Sequence, residues 1–286
     1  MKKNILGIIA SPRKLGNCEI FIKEISRHFE FEHTLNLIRL TDFSLQPCKG
    51  CYFCLFGDKK CHLKDDLEVI VNAMISADAL IVAVPTYFFG PNATLKLLLD
   101  RGLSFYAHGD QLWNKPAIGI GIAGIKGKEG YTLLGIDNFL NAILANTKQR
   151  QMVYGALPGE IFLTKKNRQT ARELALALFS ETPIPITPHC PLCKKDTFRF
   201  LGGNRIRCMI CSNTGTLSIK NDQVSVDINS DGNDITLSPE KANEHRLWLE
   251  KMKERFSKNK PMLKKIVSEY RADGIWVKPY RDEKKS

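Results

Sequence analysis

Residues 1–182 of this 286-residue chain predict an α/β domain built on a doubly wound, five-stranded parallel sheet, and three observations carry the prediction. Short apolar runs alternate with amphipathic stretches at the spacing of βαβ units. The runs Ile5-Leu6-Gly7-Ile8-Ile9-Ala10 and Ala79-Leu80-Ile81-Val82-Ala83-Val84 are apolar on both faces, the pattern of parallel strands covered by helices on each side. Five such strands favour an open doubly wound sheet, which holds ligands at the carboxyl ends of its strands.

Taken in order, the first apolar run predicts a strand at 4–10. The amphipathic stretch at 17–30 reads as a helix, and the next short run as a strand at 34–40. Helix 66–77 and strand 79–84 form the following unit, and helix 94–106 with strand 117–123 the one after. Helix 131–148, a short strand at 152–156 and helix 167–179 complete the alternation. It stops at Thr182-Pro183-Ile184-Pro185-Ile186-Thr187-Pro188, where three prolines within six residues forbid a helix and favour an extended linker.

The expected division is therefore an α/β domain at 1–182, a linker at 183–188 and a cysteine-bearing module at 189–219. A polar connector rich in Asn, Asp and Ser follows at 220–238, then a basic helical segment at 239–286. Ser238-Pro239 reads as an N-cap with proline at the first helical position. The helix it opens carries Trp248, Leu249, Met252 and Phe256 on one face, expected to pack on the α/β domain or on a second subunit.

Immediately after the first strand, Ala10-Ser11-Pro12-Arg13-Lys14-Leu15-Gly16-Asn17-Cys18 runs into a helix. A hydroxyl, a glycine and a helix N-terminus supply the donors and the dipole end that a phosphate needs, and Arg13 adds charge-assisted bonds. An ordinary strand-to-helix turn, with Ser11 and Asn17 as local caps, is the plain alternative. Gly-x-Gly-x-x-Gly and the Walker lysine are both absent, so a monophosphate is expected rather than a dinucleotide. Two further loops follow later strands: Pro85-Thr86-Tyr87-Phe88-Phe89-Gly90-Pro91-Asn92, and Gly121-Ile122-Ala123-Gly124-Ile125-Lys126-Gly127-Lys128. The first offers aromatic rings and the second close backbone approach, so both suit a flat ring system. Core packing is the commoner fate of such aromatics, and at least one of Tyr87, Phe88 and Phe89 is expected there.

Ser11-Pro12-Arg13 with Gly16-Asn17, the segment Pro85 to Gly90, and Lys96 with Asp100-Arg101 together resemble the NADPH-dependent FMN reductase family. The resemblance spans roughly residues 1–180 and implies a flavodoxin-like fold. It further implies FMN whose phosphate is held by Ser11, Arg13, Gly16, Asn17 and Cys18. Pro85, Thr86, Tyr87, Phe88, Phe89, Gly90, Ala123 and Gly124 would line its ring. No side-chain acid or base is required, because the cofactor performs the chemistry. Cys18 stands where the family has Thr or Ser, and a thiol is the weaker donor, so its contact is expected from the backbone.

Cysteine placement is the second strong signal. Cys48, Cys51, Cys54 and Cys61 have the spacing C-x2-C-x2-C-x6-C. Three close thiols wrap one face of a small inorganic cluster and a fourth closes it, so a [4Fe-4S] cluster is expected here, with zinc or free thiols as the alternatives. This loop with Asp65-Asp66-Leu67 resembles the iron-sulfur flavoprotein branch of the same family. Lys49, Lys59, Lys60 and Lys64 surround it, either as a solvated basic face or as an attractor for an acidic donor such as ferredoxin. His62 reads as a surface residue. The second group, Cys190, Cys193, Cys208 and Cys211, is C-x2-C-x14-C-x2-C, which predicts a zinc ribbon around a hairpin of 197–200 and 205–207, with a rubredoxin-type iron centre as the rival.

With 42 Lys+Arg against 30 Asp+Glu, the formal charge is +12, and residues 240–286 hold 14 Lys+Arg against 8 Asp+Glu. Such a balance favours anionic partners. The tail's charges are interleaved rather than one-sided, which favours a solvated helix; a flavin-carrying sensor or nucleic-acid-associated protein using ribbon and tail stays an alternative, as does an NAD(P)H-dependent FMN or quinone reductase without a cluster. No run of about 18 apolar residues marks a membrane span, and the apolar stretch after Met1-Lys2-Lys3 is too short for a signal peptide. A cytoplasmic setting is expected, where nine cysteines read as metal ligands rather than disulfides. The resemblance implies an FMN-dependent oxidoreductase of the iron-sulfur flavoprotein type, linked to ferredoxin or NAD(P)H and assembled as a homodimer or homotetramer.

Overall fold

The computed structural model describes residues 2–181, 188–232 and 235–271. The parallel sheet is made by β1 (Lys3–Ile9), β2 (His33–Arg39), β3 (Ala79–Tyr87), with β5 (Pro116–Ala123) and β6 (Asn146–Tyr154) beyond the two-residue β4 (Gly90–Pro91), which folds back on β3. Its order is β2-β1-β3-β5-β6. Counting the parallel strands alone, this is the flavodoxin-like order, whose direction reverses between β1 and β3.

The apolar runs explain the layering. β1, β3 and β5 are buried along nearly their whole length. Alternate residues point to opposite faces, so Ile5 and Ile9 pack with Phe21, Ile22 and Ile25 of α1 (Asn17–Ser26) and Leu174 and Leu178 of α7 (Lys165–Leu178). On the other face Leu6 and Ile8 pack with Ile70 and Met74 of α2 (Leu67–Ser76), Leu95 and Leu98 of α3 (Ala93–Leu99), and Ile136, Phe139 and Leu140 of α6 (Thr132–Ala142). Each fully buried Ile or Leu contributes about 1.5 to 3 kcal/mol, so this double layer dominates the domain's stability.

Four predicted boundaries change. The helix expected at 17–30 ends at Ser26, because Phe29 and Phe31 turn away to stack on one another and on Phe179. The helix expected at 94–106 is broken after Leu99 and restarts as α4 (Leu103–Tyr106), followed by α5 (Gly109–Leu112); Arg101 at the break is drawn into a buried ion pair. The helix expected at 131–148 stops at Ala142, since Leu144 takes φ +59° and Asn146 and Thr147 pair with Pro116 and Ala117. The strand expected at 152–156 is thus only the end of β6.

Beyond the α/β layers, β7 (Phe198–Gly202), β8 (Arg205–Cys208), β9 (Thr214–Lys220) and β10 (Gln223–Ile228) form an antiparallel sheet in the order β10-β9-β8-β7. The hairpin was expected; β10 lies in the stretch read as a polar connector. Of the predicted linker, residues 183–187 lie outside the described residues, as do 272–286 of the basic segment.

The chain divides into two compact units, residues 1–246 and 247–286. α8 (Pro239–Glu250) opens as predicted, with Ser238 Oγ accepting the Lys241 N–H at 3.3 Å. A second helix, α9 (Met252–Glu269), carries Pro261 inside it and buries none of its residues. The predicted apolar face is only partly covered: Leu249 is buried, whereas Trp248 and Phe256 are about half exposed.

Candidate functional site

At the carboxyl ends of β1, β3, β5 and β6 a cavity of about 200 Å³ opens between the loops. Ser11, Arg13, Asn17, Cys18, Pro85, Thr86, Tyr87 and Gly124 line it, eight of the residues expected around FMN. It sits where the strand order reverses, the place a doubly wound sheet leaves for a ligand. α1 starts with Gly16 as its N-cap and no side-chain cap, so its first-turn N–H groups have no intrahelical partner. With the Arg13 guanidinium and the Ser11 hydroxyl beside them, the donor set suits a phosphate.

Several side chains have other work. Asn17 is buried, donates from Nδ2 to Gly155 O at 2.9 Å and Leu157 O at 3.0 Å, and accepts the Gly159 N–H at 2.9 Å. It ties the first loop to the one after β6 and does not cap α1. Arg13 Nη1 donates to Ala156 O at 3.0 Å, and Ser11 Oγ accepts the Arg13 N–H at 3.3 Å. Gly16 lies against Arg13, where a Cβ would meet Arg13 Cβ at 2.8 Å. Burial pushes the Cys18 thiol up to about 12, so it stays protonated at neutral pH.

Gly16, Phe88, Phe89, Gly90 and Ala123 do not line the cavity, whereas Ile122, Gly155 and Ala156 do. The last two fall within the predicted strand 152–156 but lie in the loop beyond Tyr154, where β6 ends. Core packing of the aromatic triplet is also corrected: Tyr87 is 46%, Phe88 99% and Phe89 55% exposed. Phe88 and Phe89 both take positive φ, which turns them outward, and Phe89 O accepts the Tyr131 N–H at 2.8 Å. A second staple joins Thr86 Oγ1 to Thr132 Oγ1 at 2.8 Å. The 86–90 loop is therefore held from outside by the start of α6.

The first four cysteines surround one small cavity together with Arg101 and Ser104. Cys48 and Cys51 are exposed, Cys61 half-buried and Cys54 buried. Burial pushes the Cys54 thiol up, opposed by a hydrogen bond with Ser104. The base of the loop is zipped: Asp66 N–H donates to Ser44 O at 2.9 Å, Ser44 N–H to Asp66 Oδ2 at 2.7 Å and Gln46 N–H to Asp65 Oδ2 at 2.9 Å. Lys60 pairs with Glu68 at 2.5 Å on the exposed surface. His62 is exposed, as expected, yet its Nδ1 comes within 3.6 Å of Cys51 Sγ.

Cys190, Cys193, Cys208 and Cys211 are packed more tightly, their sulfur atoms all within 4.8 Å of one another, and no other group of three or more His, Cys, Asp or Glu among the described residues is so close. Lys194 and Ser212, each just after a C-x2-C pair, take positive φ and close the two knuckles. Hydrogen bonds from Cys193, Cys208 and Cys211 push the Cys190 thiol down. Four thiols at this spacing suit one tetrahedral ion. The first four line one cavity, an arrangement that could receive a group held by several thiolates.

Residues 3–142 match the model of the family described as NADPH-dependent FMN reductase. An iron-sulfur flavoprotein of Methanocaldococcus jannaschii is 36% identical over 138 residues, covering 47% of this chain and 70% of that one. Another, of Methanosarcina thermophila, is 32% identical over 141 residues, covering 48% and 72%. Among solved structures, a flavone reductase aligns over 97% of this chain and 100% of its own with a TM-score of 0.72; at 17% identity the likeness is one of fold. No helix among the described residues is long and apolar enough to cross a membrane. The chain belongs to the NADPH-dependent FMN reductase family, in its iron-sulfur flavoprotein branch, and is an FMN-dependent oxidoreductase.

Proposed function

We propose that this oxidoreductase passes electrons between a donor, a reduced ferredoxin-type protein or NAD(P)H, and an acceptor by way of FMN and a [4Fe-4S] cluster on Cys48, Cys51, Cys54 and Cys61. The observation that carries the reading is the gathering of these four thiols, and no other cysteine, around one cavity. Relatives named iron-sulfur flavoproteins support it.

Bound there, FMN would supply two-electron to one-electron conversion and the cluster single-electron transfer. Ser11, Arg13 and the first turn of α1, with Gly16 and Cys18 contributing through the backbone, would hold the phosphate. Pro85, Thr86, Tyr87 and Gly124 would flank the ring, and the neighbouring Phe88, Phe89, Gly90 and Ala123 would shape the approach of the acceptor. Asn17 keeps the floor of the site closed through the 155–159 loop. Exposed Lys49 and Lys64 would favour an acidic donor near Cys48 and Cys51.

Cys190, Cys193, Cys208 and Cys211 would hold zinc as a structural ion of the module at 189–219, the rubredoxin-type iron reading being the outcome to exclude by metal assay. A reducing, cytoplasmic setting and a homodimer or homotetramer complete the proposal, the latter on family resemblance. The test is anaerobic turnover of the FMN-loaded protein with reduced ferredoxin and with NADPH. Cys54→Ser should retain FMN and lose ferredoxin-linked turnover at least tenfold; retention of that turnover would overturn the cluster relay.

A further inference from the structure

Arg101 is the largest fully buried side chain of the described residues, 2% exposed, and it sits at the break between α3 and α4. A buried guanidinium in an apolar layer is costly unless every arm is used. Here the arms are shared. Nη1 donates to Asp65 Oδ2 at 2.5 Å and to Gln46 O at 2.8 Å; Nη2 donates to Cys61 Sγ at 3.2 Å and, more weakly, to Asp65 Oδ1 at 3.4 Å. The Asp65 carboxylate is equally buried and receives the Gln46 and Leu67 N–H groups as well.

Two facts set this pair apart from an ordinary structural ion pair. The base of the cysteine loop is already closed by Ser44 with Asp66 and by Gln46 with Lys64 and Asp65, so the loop does not need Arg101 to meet itself. And one guanidinium nitrogen is directed at sulfur, in the cavity that the four thiols share. A fixed N–H donor on a thiolate stabilises the more negative, reduced state of an iron centre bound to it, which raises its potential.

We infer that Arg101 is the positioning residue of the first cysteine site, anchoring Cys61 through Nη2 and raising the reduction potential of the cluster bound there. Asp65 fixes the fork so that the second nitrogen faces Cys61 rather than solvent. The inference rests on the cluster reading given above and deepens it.

The test uses the full-length protein purified anaerobically with both cofactors, and titrates the midpoint potentials of cluster and flavin in the same sample. Arg101→Lys keeps the charge and its partner Asp65 but loses the second arm. The double variant Arg101→Met with Asp65→Leu removes the pair altogether with groups of similar bulk, a replacement that buried ion pairs often tolerate. Either folded variant should show a cluster potential shifted negative beyond replicate scatter, with the flavin potential unchanged from wild type. Loss of iron and sulfide from folded, FMN-loaded Arg101→Lys would equally support the anchoring of Cys61. An unmoved cluster potential in a variant with full iron and sulfide would overturn the role of Arg101 and leave the cluster standing. Wild-type protein without sulfide would instead overturn the cluster reading, and this inference with it.

Discussion

Arg150 Nε donates to Asp137 Oδ2 at 2.6 Å, both side chains buried, and the same guanidinium reaches across to Asp196. Lys195 Nζ completes the group at 3.1 Å from Asp137 Oδ1. Asp137 belongs to α6 and Arg150 to β6, whereas Lys195 and Asp196 lie two and three residues after Cys193. The four-cysteine module is thereby held to the α/β sheet by a charge network centred on the buried Asp137 and Arg150.

Breaking that network should be costly. Arg150→Ala leaves Asp137 buried beside only Lys195, and is expected to lower unfolding free energy by about 3 to 5 kcal/mol in urea titration. Lys96→Ala, which removes an exposed pair with Asp100, should change it by no more than about 1 kcal/mol. Chelating the ion of the second site should raise amide exchange in β7, β8 and the Lys194–Asp196 turn while β1, β3 and β5 stay protected. Unchanged exchange in β7 and β8 would rule out a stabilising metal.

Acid should act through Asp65. Burial alone would raise its carboxyl, but hydrogen bonds from Arg101 and from the Gln46 and Leu67 N–H groups outweigh it and hold the group below the usual 3.8. A carboxylate depressed in the native state adds stability that is present above its unfolded pKa and lost as pH falls through the lower native one. Urea titrations should therefore show wild type well above Asp65→Asn at pH 7 and the gap narrowing below about pH 4. A gap of constant size down to pH 2 would remove Asp65 from the acid limb.

Cys18 should be silent to alkylation. Its thiol, raised to about 12 by burial, offers almost no thiolate at pH 8, whereas Cys48 and Cys51 are exposed. Mass spectrometry after brief iodoacetamide treatment of metal-free native protein should find label on Cys48 and Cys51 and none on Cys18 until the chain is unfolded.

Gly130 is where a single methyl group should reach the flavin. Its φ is +51°, and a Cβ there would lie 2.0 Å from Phe89 O, a backbone atom that cannot step aside cheaply. Gly130→Ala should displace the 86–90 loop and weaken FMN affinity at least about tenfold, or 1.4 kcal/mol, by fluorescence titration. Gly127→Ala, at a positive φ with open space around it, should leave FMN affinity within about twofold.

Period and chemistry made much of this molecule readable in advance. Runs such as Ile5 to Ala10 admit only a doubly covered strand, and a hydroxyl, an arginine and a glycine between strand and helix mark a phosphate loop. Tertiary demands hid the rest. Nothing local announces that Leu144 will turn left-handed so that Asn146 joins β5, or that Arg101 will break its helix to reach Asp65, 36 residues earlier in the chain. Aromatic character predicts burial for at least one of Tyr87, Phe88 and Phe89, yet all three are exposed, Phe88 and Phe89 at positive φ. Gly155 and Ala156 fall inside the predicted strand 152–156, whereas β6 ends at Tyr154 and leaves both in the loop that lines the cavity.

The most direct test of the central claim is one sample of anaerobically purified full-length protein, assayed for FMN, iron, acid-labile sulfide and zinc per chain. The electron-relay reading predicts one FMN, about four iron, about four sulfide and one zinc. Flavin and zinc without sulfide would contradict it and leave a flavin reductase whose Cys48, Cys51, Cys54 and Cys61 carry no cluster.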